Sequence, residues 1–417
     1  MELKRVVVTG LGLVTPLGNS IDEFWKNLSE GVSAAAPITR FDATHFKTKF
    51  ACEVKDFEVG DFMDRKEARK LDLYAQFAMA STDLAVQNAK LNFETLDTEF
   101  FGVIWGSGIG GSTTFMAEVI DFVKSNYVPK FSPFLIPKMI ADIASGHISM
   151  RYGLKGPNFT TVSACASSSN ALIDAYNYIR LGIAKGFVTG GSEAAINEVG
   201  IGGFNAMRAI STRNDDFKTA SRPFDVNRDG FVMGEGGVTL IIEELEHAKA
   251  RGAHIYAEIV GAGLSADAHH LTAPHPEGEG AARVMNNALR DANLSPDKID
   301  YINVHGTSTP LGDISEVLAI KSVFGDHAPK LNISSTKSMH GHLLGGAGAI
   351  EAAASILAIQ NSCVPPTINF ETPDPSIDYN LNFTFHKAQP REVNYALSNT
   401  FGFGGHNASV IFKKYTE

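Results

Sequence analysis

The sequence predicts an α/β fold with largely parallel sheets, built from two similar halves that pack as one body. Three features carry this expectation. Short apolar, β-branched runs alternate with long helical patterns, as strands and helices in succession would. Two stretches look alike: "GFVMGEGGVTLIIEE" (230–244) and "TFGFGGHNASVIFKK" (400–414) are each a glycine-rich turn followed by an apolar strand. The 417 residues suffice for two or three domains or one large duplicated body, and no Gly/Ser linker or low-complexity segment interrupts them. A boundary near residue 253 divides the chain into halves 1–253 and 254–417.

The elements follow in order. "MELK" is a short charged lead into the strand "RVVVTG", not a signal peptide. A helix is expected over 65–90. "DRKEARKLD" (64–72) opens it with a D-x-x-E capping box, Asp64 and Glu67. Leu71, Tyr74, Ala75 and Ala78 mark its buried face, while Lys66, Arg69 and Lys70, spaced i, i+3 and i+4, share another. "FFGVIW" is the next strand. "GSGIGG" (106–111) follows it and literally fits G-x-G-x-x-G, but the βαβ continuation of a dinucleotide site is missing. "YVPKFSPFLIPK" comes instead, with three prolines, and no acid ends a second strand. Leu172, Ala175, Tyr176 and Ile179 fall at helical spacing and set a helix over 165–182. The strand "GFVTGG", a helix over 242–252, the strand "YINVH" and a helix over 341–360 complete the pattern. "DISE" (313–316) reads as another capping box.

The net charge of -10 argues against a nucleic-acid partner for the protein as a whole, while leaving room for a local basic patch. Three cysteines, Cys52, Cys165 and Cys363, suit a reducing compartment rather than a disulfide framework. No apolar run of ~18 residues predicts a membrane span. The expected setting is cytoplasmic.

"TTVSACASSSNAL" (160–172) sets Cys165 among small side chains at a predicted helix start. Unpaired backbone N–H groups and the helix dipole favour a thiolate there. A single cysteine is ordinarily a small buried hydrophobe, the reading that Cys52 and Cys363 keep. Cys165 has company: His305 ends the strand "YINVH", and Lys337 and His342 precede a Gly/Ala-rich helix. A thiol and two histidines in separate loops form a candidate nucleophile-plus-base set. His269, His270 and His275 lack a recognised metal-ligand spacing and read as exposed loop residues.

"SACASSSNA", "HGTSTPLGD", "KSMHGHLLGGAG" and "SNTFGFGGHN" occur in that order, with "SRPFDVNRDGFVMGEGG" between the first two. Over essentially its whole length the chain resembles the β-ketoacyl-acyl carrier protein synthases, and most closely their type II members. The resemblance implies the thiolase fold: two similar halves forming a five-layer αβαβα body, usually as a homodimer. It implies decarboxylative condensation of malonyl-acyl carrier protein with an acyl chain held on Cys165. His305 and His342 would donate to the malonyl thioester oxygen. The backbone N–H groups of Cys165 and Phe403 would form an oxyanion hole, and Lys337 would orient the histidines. Thr307 and Thr309 match residues beside the malonyl group. Phe401 and Phe403 match a gate, and Ile109 and Phe204 line the acyl pocket. Asp267 falls in a mobile loop of the family. Glu316 matches an acid near the lysine, beside its reading as a capping residue. Lys66, Arg69, Lys70 and Arg208 match positions that dock the carrier protein. No cofactor is implied, since the substrates bring phosphopantetheine on the carrier. Some relatives bind a monovalent cation near positions matching Asn303, Glu351, Ser398 and Asn399, and the metal question stays open. One departure is His340, where the family commonly has a small or hydroxyl residue.

Competing expectations remain. A polyketide-type ketosynthase uses the same three residues. A chain-length partner subunit would lack the nucleophile. A thiolase would need a second cysteine near its C-terminus, and the initiating synthase carries Cys-His-Asn. A Cys-His hydrolase lacks the thioester motifs.

Overall fold

The computed structural model describes residues 3–416; Met1 and Glu2 of the charged lead, and Glu417, lie outside the described residues. Ten strands form one sheet system: β1 (Val6–Val14), β2 (Phe101–Gly106), β3 (Asn158–Thr161), β4 (Gly186–Glu193), β5 (Gly236–Glu244), β6 (Ala257–Ala266), β7 (Tyr301–Asn303), β8 (Asn332–Ser334), β9 (Tyr395–Gly402) and β10 (His406–Lys413). The helices that position the site are α1 (Arg65–Ala68), α2 (Leu73–Ala89), α3 (Ser112–Lys124), α4 (Ile143–Tyr152), α5 (Ser167–Arg180), α6 (Glu279–Asp291), α7 (Pro310–Phe324), α8 (Lys337–His340) and α9 (Ala347–Asn361).

The strand order is β8-β7-β9-β10-β6-β1-β5-β4-β2-β3. Counted within each half, this is third-second-fourth-fifth-first, twice over. The pairing directions repeat as well. The halves meet where Val6–Val8 of β1 pair antiparallel with residues 257–259 of β6. The look-alike stretches become β5 and β10, each the fifth strand of its half.

The expectation of largely parallel sheets needs correcting. Four strand contacts are parallel and five antiparallel. A strand covered on both faces reads as a continuous apolar run whichever way it points, so composition did not reveal direction.

Helices α5 and α9 form the central layer of the five. α5 packs on β2 and β4 of its own half and on β10, while α9 packs on β9 and on β5. α9 is buried from Ala347 to Ile359, which explains its all-round apolar sequence. Gly348 lets the two helices close up, since a Cβ there would lie 2.0 Å from Ser169 Oγ. α2 and α4 cover one outer face, α6 and α7 the other.

Local boundaries differ from expectation in several places, and the helix expected over 341–360 begins only at Ala347. The helix expected over 65–90 breaks, because Asp72 caps a new helix and also accepts from Thr114 N and its hydroxyl. Lys66 alone of the three expected face-sharing cations lies within α1; Arg69 and Lys70 fall in the turn after it. Asp64 does cap α1, but Glu67 turns to Arg151 rather than back to the cap. The stretch 242–252 stays in β5 through Glu244, and only Leu245–Ala250 is helical.

Candidate active site

The chain leaves β3, turns, and enters a 3-10 turn (Ala164–Ala166) that runs into α5. Ala164 has φ +51, a left-handed conformation that costs a non-glycine residue energy. The strained elbow presents Cys165 at the head of the central helix, 8% exposed. Gly402 allows β9 to approach: a Cβ there would lie 2.7 Å from Ser163 O. The Phe403 N–H then lies near enough to Cys165 to favour its thiolate.

His305 follows β7 in a loop whose backbone is gripped by Glu316. His305 N and Gly306 N donate to its two carboxylate oxygens at 2.9 and 2.8 Å. Glu316 is therefore no capping residue: α7 starts at Pro310, with Thr309 before it. Burial pushes the Glu316 carboxyl up to about 7, against the N–H donors and Lys337. Arg228, from "SRPFDVNRDG", holds the far end of the loop by donating to Thr309 O and Pro310 O. Thr307 and Thr309 hydroxyls lie 3.0 Å apart.

His342 is fixed by its backbone: its N donates to Val232 O at 2.7 Å, and its O accepts from Gly234 N at 2.9 Å. Its Nε2 lies 3.1 Å from Cys165 Sγ. The ring stacks edge-on against Phe231, centroids 5.1 Å apart, and against His305 at 5.3 Å. Donor atoms of Cys165, His305 and His342 all fall within 4.8 Å of one another. Among the described residues this is the only such His/Cys/Asp/Glu cluster. His269, His270 and His275 form none; His270 Nδ1 instead accepts from Thr272 N and Ala273 N.

Lys337 is 1% exposed and pairs with Glu351 behind the histidines. Burial, then the Lys337 charge, drives both His305 and His342 well below the usual imidazole range. Both rings are neutral, and the Nδ1 atom of each is buried without a partner. The thiol departs from expectation. Burial pushes Cys165 up to about 11, although Lys337 and the Phe403 N–H pull the other way. Burial among the layers around the helix head outweighs both, and the charges of Glu193 and Glu351 add to it. Burial, then the Lys337 charge, pushes His340 down to about 3, and its ring bridges Gly341 O and Thr336 Oγ1.

The three residues border a cavity of about 550 Å³. Ile109, Phe204, Phe401 and Phe403 contribute apolar wall. Thr307, Thr309, Asp267, Glu316 and Arg208 also border it, whereas Lys337 and the exposed Lys66, Arg69 and Lys70 do not. Asp267 latches two loops over the mouth: its N donates to Gly405 O, and its carboxylate accepts from Asn407 Nδ2 at 2.7 Å. Sequence reasoning missed Phe231, Arg228 and the buried Glu193. An acid closing an apolar strand, as in "GFVTGGSE", was the available signal for the last.

Residues 3–248 match the β-ketoacyl synthase N-terminal domain and residues 256–371 the C-terminal domain. The 3-oxoacyl-[acyl-carrier-protein] synthase 2 of Synechocystis sp. is 50% identical over 415 residues, covering 100% of this chain and 99% of that one. Its counterpart from Coxiella burnetii is 48% identical over 414 residues, covering 99% of both chains. A solved β-ketoacyl synthase from Burkholderia phymatum superposes with TM-score 0.92 at 36% identity, covering 99% of this chain and 100% of that one. A ketosynthase solved with its type II acyl-carrier protein superposes with TM-score 0.91 at 33% identity over the same shares. No helix among the described residues is long and apolar enough to cross a membrane. With both domain models matched and near-half identity along the whole chain, the protein belongs to the β-ketoacyl synthase family.

Proposed function

We propose that the chain is a type II β-ketoacyl-acyl carrier protein synthase that lengthens fatty acyl chains by two carbons. The observation that carries this reading is the 3.1 Å contact between Cys165 Sγ and His342 Nε2, with His305 beside it, at one cavity. The sulfur attacks the acyl thioester carbon as a thiolate, the bond to the phosphopantetheine sulfur breaks, and the departing thiolate takes up the proton that the Cys165 thiol gave up. The N–H groups of Cys165 and Phe403 stabilise the oxygen on which charge builds. Malonyl-carrier protein then enters. His305 and His342 donate to its thioester oxygen while carbon dioxide departs with one oxygen-bearing carbon and leaves its bonding pair as an enolate. The enolate carbon attacks the acyl carbon, the C–S bond breaks, and the sulfur is reprotonated. Neutral imidazoles suit the donor role, and Lys337 adds fixed positive potential nearby.

The substrate-recognition assignments belong to the same proposal. Ile109, Phe204, Phe401 and Phe403 bound the acyl channel, Thr307 and Thr309 hold the malonyl end, and Asp267 and Glu316 support the loops. Lys66, Arg69, Lys70 and Arg208 receive an acidic carrier protein. The two lobes divide at residues 253/254, and the enzyme works in the cytoplasm without a cofactor. A monovalent cation fits the polar set of Asn303, Glu351, Ser398 and Asn399, because Glu351 Oε2 and Ser398 Oγ are buried without a partner. It would give those two oxygens a partner and add positive charge beside the Lys337–Glu351 pair. A second copy of the chain covers α3, which buries none of its residues and exposes Phe115, Val119, Ile120 and Val123. Val162, just past edge strand β3, is 63% exposed as well.

Relatives of the fatty-acid type are more similar to the chain than the ketosynthase solved with a polyketide carrier, 50% against 33% identical, which favours fatty acyl substrates. The test is incubation with acyl- and malonyl-carrier proteins of several acyl lengths. Mass spectrometry is expected to detect 3-oxoacyl products two carbons longer and release of carbon dioxide. Products built only on a polyketide carrier would overturn the reading.

A further inference from the structure

Glu193 is fully buried at the end of β4, and among the described residues it has no ion-pair partner. Its carboxylate is instead surrounded by donors. Oε1 accepts from the Ser107 hydroxyl at 3.1 Å and from Ile109 N and Gly110 N at 3.2 Å. Oε2 accepts from Gly108 N at 2.7 Å and Gly345 N at 3.1 Å. The glycine-rich "GSGIGG" loop thus does wrap a carboxyl group, but it is the protein's own side chain: burial raises the Glu193 carboxyl, and the amides of Gly108, Ile109 and Gly345 oppose that.

Those donors come from two places that matter to the reaction. Ile109 sits on the first loop and borders the cavity. Gly345 stands three residues after His342, in the turn that leads into α9. The two segments touch: a Cβ on Gly345 would lie 2.1 Å from Gly108 N and 2.7 Å from Glu193 Oε2. No direct bond between Ile109 and His342 is needed, because one carboxylate holds both backbones.

We propose that Glu193 is a positioning residue that fixes the Ile109 loop and the His342 turn in one register, so that acyl-pocket width and histidine placement are set together. This rests on the condensing-enzyme reading above. The donors require an acceptor at every contact, which an ionised carboxylate supplies and a carboxamide does not. Glu193→Gln changes little volume but turns an NH2 group toward backbone N–H donors. The register should loosen on both sides at once, while the Cys165 elbow and the Phe403 N–H, held by other contacts, stay in place.

The experiment compares wild type, Glu193→Gln and Ser107→Ala in three assays: acyl-enzyme formation, malonyl-carrier decarboxylation and product chain length. Ser107→Ala removes one hydroxyl donor and leaves the charge, so it carries the test if the first variant does not fold. Decarboxylation is expected to fall roughly tenfold in Glu193→Gln and about threefold in Ser107→Ala. Acyl-enzyme formation with a short acyl chain should change less than twofold in Ser107→Ala and should not fall in Glu193→Gln, where loss of the Glu193 charge lowers the Cys165 thiol; the product distribution should shift in length in both. Equal losses in both half-reactions with an unchanged length profile would indicate ordinary destabilisation and overturn the proposal. So would wild-type behaviour of whichever variants fold. If wild type itself neither decarboxylates malonyl-carrier protein nor forms an acyl-enzyme, the condensing reading fails instead.

Discussion

The two halves use the same backbone device for different purposes. In the first, the 3-10 turn Ala164–Ala166 runs into α5; in the second, the turn Leu344–Gly346 runs into α9. Each turn begins with a non-glycine residue at positive φ, Ala164 at +51 and Leu344 at +48. The residue after it is Cys165 in one half and Gly345 in the other. Each elbow also meets the end of the opposite half's fourth strand: Cys165 faces Phe403 beyond β9, and Gly345 faces Glu193 at the end of β4. The loops after the second strands match too. Glu193 grips the amides of 108–110, and Glu316 grips those of His305 and Gly306. The difference teaches that the fold supplies two strained, amide-rich elbows, and that chemistry depends on which one carries a side chain. The thiol elbow opens to the cavity. The glycine elbow is filled by a neighbouring loop and serves as a mount for His342.

The comparison breaks most severely at the thiol. Cys165→Ala should abolish acyl-enzyme formation, whereas Cys52→Ala and Cys363→Ala should leave it intact. Peptide mass spectrometry locates the acyl group; a stable adduct on either other cysteine would defeat the assignment. One step smaller are the histidines of the second half. His305→Ala and His342→Ala should each slow decarboxylation by ~10²–10³, the usual cost of one preorganised donor, and affect acyl transfer less. Carbon dioxide release and acyl-enzyme formation, measured separately, decide this.

A third test swaps the character of the glycine elbow. Gly345→Ala would press a methyl group onto Gly108 N and the Glu193 carboxylate. Relieving that contact requires backbone to move, at a cost of about 3 kcal/mol of folding stability. A denaturation midpoint equal to wild type would mean that the two loops are not tightly opposed. A fourth asks whether burial outweighs the helix head at the thiol elbow. With the Cys165 pKa raised to about 11, the thiolate fraction grows about tenfold per pH unit across neutral and mildly alkaline pH. Alkylation of Cys165 by iodoacetamide should therefore keep accelerating through pH 10. A plateau below pH 8 would restore the simple helix-dipole account.

What the sequence disclosed follows from the range of each signal. Cys165, His305 and His342 were legible because each stands in a short motif at the end of an element. The repeat of β5 and β10 was legible because both are apolar runs behind glycine turns. Strand direction was not, since a doubly covered strand has no polar face to orient it. Glu193 escaped because its donors lie 85 and 152 residues away along the chain. Glu316 was ambiguous for a related reason: its partners are the amides of His305 and Gly306, so "DISE" imitated a local cap that the helix does not use. The thiol's raised pKa comes from layers of both halves closing over it, a property of the assembled body.

The smallest expected effect lies outside the two elbows, on the surface where a carrier protein would dock. Lys66, Arg69 and Lys70 are exposed, and Lys70 sits 5.9 Å over the Phe134 ring. They do not form one helical stripe, because α1 ends at Ala68. They still present three positive charges within five residues of a chain whose net charge is -10. A patch of this kind acts on encounter rate and is screened over about a Debye length, ~10 Å at 0.1 M salt. Reversing all three to Glu should raise KM for acyl-carrier protein severalfold at low salt and flatten its salt dependence. Arg208 also borders the cavity mouth and is left unchanged, so that a change near the reacting atoms does not confound the result. Turnover of a small acyl thioester without the carrier should stay within about twofold, because neither elbow is touched. If the triple variant handles carrier-bound substrate like wild type at low salt, this surface does not receive the carrier.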